Sequence, residues 1–304
     1  MDKQTMINDI KRLKEEKNAV ILAHYYQLPE VQDIADFIGD SYALSKQAAN
    51  TSADTIVFCG VHFMAETAKL LSPDKTVLLP EIDAGCPMAD RITAAQLAAY
   101  KAKNPDRTVV CYVNSTAGVK ALSDVCVTSS NAEKILAHYK DHKILYVPDK
   151  NLGNYAKRKY NLDLEAWPGF CCIHNDLTVE LVDAMREKHP EAAFIVHPEA
   201  PLDVLDKADY IGGTKGLIEF VKQSPYKRYI VGTEEGILHQ MRKEAPDKDV
   251  VVLTPELRCY DMKKTTLESV HRALKTDTYA IEVDSSVAAG ARRAIDRMMA
   301  LSEQ

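Results

Sequence analysis

The chain repeats itself three times, and no other feature limits its fold as strongly. Three apolar, β-branched segments, AVILAHYYQ, TVVCYVNST and AAFIVHPEA, align on His24, Tyr112 and His197, which stand 88 and 85 residues apart. Seventeen residues beyond each anchor comes a hydroxyl, Ser41, Ser129 or Thr214, in the similar contexts ADFIGDS, LSDVCVTS and KADYIGGT. Three more strand-like runs, TIVFCG, KILYVP and RYIVGT, follow in the same phase, each leading into a helix-like stretch. Every repeat then reaches a cysteine: Cys86, Cys171 and Cys259 lie 62, 59 and 62 residues past their anchors. Cys172 fits the second position as well as Cys171 does.

Strands alternating with helices of about ten residues predict βαβ units and parallel sheets. The strands are continuous apolar runs, as expected where both faces are covered. The expected fold class is therefore α/β: three pseudo-threefold-related, three-layer αβα domains with short parallel sheets around a common axis. The boundaries read as 1–86 plus 265–304, 87–171 and 172–264, one cysteine to each. The tail TYAIEVDSSVAAGARRAIDRMM resembles a fourth unit that stops early, since Ser285 follows Cys259 by the 26 residues that separate Tyr112 from Cys86 and His197 from Cys171. Its strand and helix are expected to complete the first domain.

The formal net charge of −6 argues against an extended nucleic-acid surface. The segment MDKQTMINDIKRLKEEK reads as a charged helix rather than a signal peptide, and no apolar run approaches the roughly 18 residues that span a bilayer. A cytoplasmic location without a membrane partner is expected. In that compartment the seven cysteines point to thiols, metal or catalysis rather than to a disulfide framework.

Ligands of open α/β sheets bind beyond the carboxyl ends of the strands. His24, Tyr112 and His197 fall at such ends. Ser41, Ser129 and Thr214 each precede a helix, where a hydroxyl ordinarily serves as an N-cap. Three such helix starts around one axis would instead offer N–H groups and positive dipole ends to an anion, a phosphate or a dicarboxylate. Three thiolates around the same axis leave a fourth direction open. A sulfur-only donor set suits iron–sulfur chemistry better than an oxygen-loving metal. Cys59, Cys111 and Cys126 sit inside apolar strands and read as small buried hydrophobes.

Taken in order, ILAHYYQLPEVQDIADFIGDS, FCGVHFMAE, DAGCPMADR, CYVNSTAGVKALSDVCVTSSNA, PDKNLGNY, GFCCIH, IVHPEAP, ADYIGGTKG, VGTEEGILHQM and CYDMKKTTLE resemble the quinolinate synthase family over nearly the whole length. The resemblance implies a central active-site cavity holding one 4Fe–4S cluster, with Cys86, Cys171 and Cys259 as its ligands. The family's G-x-C-x-x-H places the second ligand at Cys171 and leaves Cys172 incidental. It implies condensation of iminoaspartate with dihydroxyacetone phosphate to quinolinate, phosphate and water in NAD biosynthesis. The open iron would act as a Lewis acid without net electron transfer. A supplier of iminoaspartate, L-aspartate oxidase or aspartate dehydrogenase, is the implied functional link. For the proton transfers, His24, Tyr26, Tyr112, His174, His197 and Glu199 are the candidates. For substrate binding the candidates are His24, Ser41, Tyr112, Asn114, Ser129, His197, Glu199 and Thr214, with Tyr26 and Asn114 suited to orienting carboxylates. The alternatives are a zinc-dependent lyase or aldolase acting on a sugar phosphate, and a non-enzymatic iron–sulfur sensor.

Overall fold

A computed structural model describes residues 2–303. The described chain forms three four-stranded parallel sheets with helices between the strands. The first contains β1 (Ala19–His24), β2 (Phe37–Gly39), β3 (Thr55–Cys59) and β4 (Thr76–Leu78). The second contains β5 (Arg107–Tyr112), β6 (Val125–Val127), β7 (Lys143–Val147) and β8 (Leu164–Ala166). The third contains β9 (Ala193–Val196), β10 (Tyr210–Ile211), β11 (Arg228–Gly232) and β12 (Asp249–Val252). In all three the unit's strands lie in the order second, first, third, fourth, so the repeat in the sequence is a repeat of topology. The fold is α/β, as the alternation of strands and helices predicts.

The apolar runs explain why each sheet is covered twice. Successive strand side chains point to opposite faces. In β1, Val20 and Leu22 enter one core while Ile21 and Ala23 enter another. In β9, Ala193 and Ile195 face one cluster and Phe194 and Val196 the other. A third repeated element fixes register. Asp36, Asp124 and Asp209 each lie just before the edge strand of their unit. Their carboxylates accept the amide N–H of Ile21, Val109 and Phe194 at 2.8, 2.7 and 2.7 Å. Each aspartate thus clamps a two- or three-residue edge strand to its central neighbour.

The tail departs from expectation. No strand forms before the last helix; a single antiparallel bridge joins Ala280 to Leu78 of β4. Helix Leu267–Thr276 packs with the N-terminal helix Lys3–Glu16 on the first sheet. The last helix, Ser285–Glu303, lies mainly against β6 and helix Ala117–Ala121 of the second unit. Its Ala291, Ala294, Ile295 and Met298 join the core that runs continuously through the first two units. The segment grouped by sequence with the first unit is therefore shared between two. Residues 1 and 304 of that grouping lie outside the described residues.

Candidate active site

In a sheet of order second, first, third, fourth, the chain turns opposite ways from the first and third strands, and a crevice opens at their carboxyl ends. The three crevices meet in one cavity of about 310 Å³, the size of a small-molecule site. His24 and Tyr112 end β1 and β5, and His197 follows β9 by one residue. All three line the cavity, as do Tyr26, Ser41, Asn114, Ser129, His174, Glu199 and Thr214. Cys86, Cys171 and Cys259, each half-buried, line it too. Residues up to 235 positions apart in sequence are thereby gathered by the repeat.

The hydroxyls are not helix caps. Asp40 caps helix Ser41–Asn50 through Ala43 N–H, Asn131 precedes helix Ala132–Ala137, and Gly213 precedes helix Thr214–Gln223. Ser129 lies in the loop three residues before its helix, so only two of the three hydroxyls stand at a first helical turn. Relieved of capping, Ser41 and Ser129 are left to the cavity, and the Thr214 hydroxyl donates to that of Tyr26 at 3.3 Å. Asn114 Oδ1 is buried there without a hydrogen-bond partner, an acceptor that a ligand can satisfy.

A hydrogen-bond chain crosses the three units. The Tyr26 and Thr233 hydroxyls are 2.7 Å apart, and Thr233 Oγ1 is 2.8 Å from His174 Nε2. His174 Nδ1 is 2.8 Å from Glu199 Oε2, and the Tyr112 hydroxyl donates to Glu199 Oε1 at 2.7 Å. His197 stacks on His174 with ring centroids 4.9 Å apart. His24 and His197 are held alike. The Nδ1 of each accepts the amide N–H two residues on, from Tyr26 at 3.1 Å and Glu199 at 3.3 Å. That leaves Nε2–H as the donor of each ring. Burial lowers the His24 imidazole to about 3 and His197 to about 4, so both are neutral donors at neutral pH. Burial would raise Glu199, but His197, His174 and Tyr112 outweigh it and hold the carboxyl at about 2. Burial and Glu199 push the Tyr112 hydroxyl up. Glu199 is thus ionised and accepts from the Tyr112 hydroxyl.

The cysteine loops are built on one plan. His62, Lys150 and Glu235 each donate a backbone N–H, at 2.8 Å, to the carbonyl two residues before the cysteine, on Ala84, Gly169 and Leu257. Burial raises the Cys86 thiol to about 12 and Cys259 to about 11, and burial together with Glu199 raises Cys171 as well. Such thiols stay protonated until a metal's charge displaces the proton. Three sulfurs, one from each unit, line one cavity, and a sulfur donor set of this kind fits an iron–sulfur cluster. A tighter group is also present: Cys171, His174 and Glu199 bring one donor atom each within 4.8 Å of one another. Cys172 is exposed. Cys59, Cys111 and Cys126 are fully buried in β3, β5 and β6, as read from the sequence.

Three contributors escaped sequence reading. Thr233 links Tyr26 to His174, and Asp149 and Glu234 accept the amide N–H of Cys171 and Cys259 at 3.2 and 3.0 Å. The available signal was phase: Asp149 and Glu234 both stand 37 residues beyond their anchors.

Comparison with known proteins finds relatives over nearly the whole length. The family model described as quinolinate synthetase A protein matches residues 8–300. A quinolinate synthase of Caldicellulosiruptor saccharolyticus is 50% identical over 303 residues, covering 99% of this chain and all of that relative. One from Methanoregula boonei is 51% identical over 300 residues, covering 99% of both. One from Alkaliphilus metalliredigens is 49% identical, covering 98% of this chain and 99% of the relative.

Proposed function

The chain belongs to the quinolinate synthetase A protein family, and from that premise we propose that it is a quinolinate synthase of NAD biosynthesis, condensing iminoaspartate with dihydroxyacetone phosphate. One quinolinate, one phosphate and two waters result. The observation that carries the proposal is the meeting of three cysteines, one from each unit, with hydroxyl and imidazole donors in one cavity. Cys86, Cys171 and Cys259 would hold a 4Fe–4S cluster, whose one iron without a protein ligand supplies a Lewis acid for a reactant oxygen or nitrogen.

The chain's own residues do the rest. Ser41, Ser129 and Thr214 offer hydroxyls to phosphate and carboxylate oxygens, with the first turns of helices Ser41–Asn50 and Thr214–Gln223 behind two of them. His24 and His197 donate from Nε2 without carrying charge. Asn114 and Tyr26 orient the carboxylates. Glu199 takes up a proton, and Tyr112 and His174, on its two oxygens, stabilise the ionised state and pass the proton on. Such transfers are needed for phosphate loss, imine formation and dehydration. The substrates are small anions, and the enzyme works beside a source of iminoaspartate, such as L-aspartate oxidase or aspartate dehydrogenase, in the cytoplasm. No described helix is long and apolar enough to cross a membrane.

The test is an anaerobic assay of quinolinate from both substrates, with iron and sulfide quantified per chain. Cys86→Ala, Cys171→Ala and Cys259→Ala should each lose the cluster and the activity. Full cluster and full activity in any of them overturns the assignment. The group Cys171, His174 and Glu199 favours one rival, a zinc-dependent lyase or aldolase on a sugar phosphate. A colourless, zinc-bearing and active preparation would establish it, whereas a brown one absorbing broadly near 400 nm would not.

A further inference from the structure

Two of the three cysteine loops carry a device that the third lacks. Asp149 and Glu234 occupy the same place in their repeats, two residues beyond β7 and β11, and both are completely buried. Asp149 Oδ2 accepts the Cys171 N–H at 3.2 Å while Oδ1 accepts Leu152 N–H at 2.6 Å. Glu234 Oε1 accepts the Cys259 N–H at 3.0 Å while Oε2 accepts Gly236 N–H at 2.8 Å. Each carboxylate therefore ties a cysteine to the strand end that carries it, one oxygen per amide. In the first repeat the position is Val61, which has no acceptor. The two carboxylates also differ. Lys263 Nζ lies 2.8 Å from Glu234 Oε1 and donates to the Tyr26 carbonyl at 2.5 Å. Glu234 so joins Cys259 to the first unit, whereas Asp149 holds Cys171 through amides alone.

We propose that Asp149 and Glu234 are positioning residues for the cluster, aiming Cys171 and Cys259 by fixing their backbone N–H groups, so that two corners are rigidly held and the Cys86 corner is held by its backbone alone. The proposal rests on the reading of the three cysteines as cluster ligands. Outer partners that orient ligands typically contribute 10- to 100-fold to metal retention. Neither carboxylate can be replaced by its amide without loss. An amide presents one oxygen and one NH₂, so one of the two facing N–H donors meets another donor.

The full-length chain is reconstituted anaerobically with ferrous iron and sulfide as wild type, Asp149→Asn, Glu234→Gln and Thr266→Ala. Thr266 caps helix Leu267–Thr276, so its variant reports loss of a cap away from the cavity. Three quantities are read: the rate of iron loss to an added chelator, the EPR spectrum of the dithionite-reduced protein, and the melting temperature without metal. Asp149→Asn and Glu234→Gln should lose iron at least about tenfold faster than wild type and show altered g values. Thr266→Ala should melt earlier but match wild type in both cluster readouts. Iron loss within twofold of wild type together with an unchanged spectrum in both variants overturns the proposal. A wild type that takes up no cluster overturns the reading beneath it, a different result from an intact cluster indifferent to the substitutions. If either amide variant fails to fold, Asp149→Glu and Glu234→Asp keep the charge and alter its reach. They should lose iron at intermediate rates, and wild-type rates in both would again overturn the proposal.

Discussion

Gly213→Ala tests whether the second and third units press together the hydroxyls proposed to bind substrate. Gly213 precedes Thr214 with φ −64° and ψ 168°, a conformation alanine adopts freely. Alone, the change should stabilise the fold by about 0.4–1 kcal/mol through the unfolded chain. Space is what forbids it. A Cβ here would lie 2.8 Å from Ser129 Oγ and 3.1 Å from both the Ser129 carbonyl carbon and Ser130 N. The hydroxyl can rotate away, but the two backbone atoms cannot. The contact must open by a few tenths of an ångström, and overpacking of this kind costs about 1–3 kcal/mol. The net expectation is a loss of about 1–2 kcal/mol. Because the strain falls between Ser129 and Thr214, the two hydroxyls proposed as phosphate and carboxylate donors move apart. A displacement near 1 Å costs about 100-fold in rate, so a smaller one should cost roughly tenfold, with KM for dihydroxyacetone phosphate raised. Iron per chain should not change, since the cysteine loops are untouched. Denaturant melts, steady-state quinolinate formation and iron analysis on one preparation decide it. Gly118→Ala is the control, because its Cβ would meet only ordinary van der Waals contacts, Ala94 Cβ at 3.4 Å and Thr116 Oγ1 at 3.9 Å. A Gly213→Ala enzyme as active as wild type and more stable by the alanine increment would refute the reasoning.

Other expectations follow from the same geometry. Tyr112→Phe removes a 2.7 Å bond to a buried carboxylate; at about 2 kcal/mol for a charge-assisted bond, kcat should fall about thirty-fold, and a drop under threefold would deny Tyr112 that role. Cys172→Ser, at the exposed position, should keep wild-type iron content while Cys171→Ser loses it, as colour and iron analysis will show. In the metal-free protein, His24 and His197 stay neutral in the fold but protonate near 6.5 when unfolded. The unfolded chain therefore binds more protons as pH falls. Stability is complete above 6.5 and declines as pH falls, to about 4 for His197 and about 3 for His24, by about 1.4 kcal/mol per pH unit for each ring. His24→Gln should remove one ring's share of that slope in pH-dependent denaturant melts, and an unchanged slope would contradict the assignment.

The repeat was legible because it is written in residue types whose physics is strict. β-Branched runs mark buried parallel strands, and a polar residue ending each run marks the crevice. That sufficed to gather residues as distant as His24 and Cys259 at one cavity. The weaker elements left less trace. In β8, Leu164–Ala166, only Leu164 carries a strong apolar signal, whereas β4 and β12 fall within the apolar runs TVLL and DVVVL. The tail reads as strand plus helix by spacing, yet spacing does not say which surface is still uncovered; the apolar side of Ser285–Glu303 found it on the second unit. Asp149 and Glu234 passed unnoticed because acidic residues after a strand resemble ordinary caps, and Asp149 is indeed one. Only the amide each carboxylate accepts from a cysteine distinguishes them.

Joining three copies in one polypeptide has a chemical consequence. A trimer of identical subunits must show the same group at every corner. Here the corners are His24, Tyr112 and His197, then Ser41, Ser129 and Thr214, with a carboxylate behind two cysteines and a valine behind the third. The two proposed reactants, one bearing a phosphate and the other carboxylates, need a lopsided receptor. Covalent linkage lets a symmetric scaffold present one.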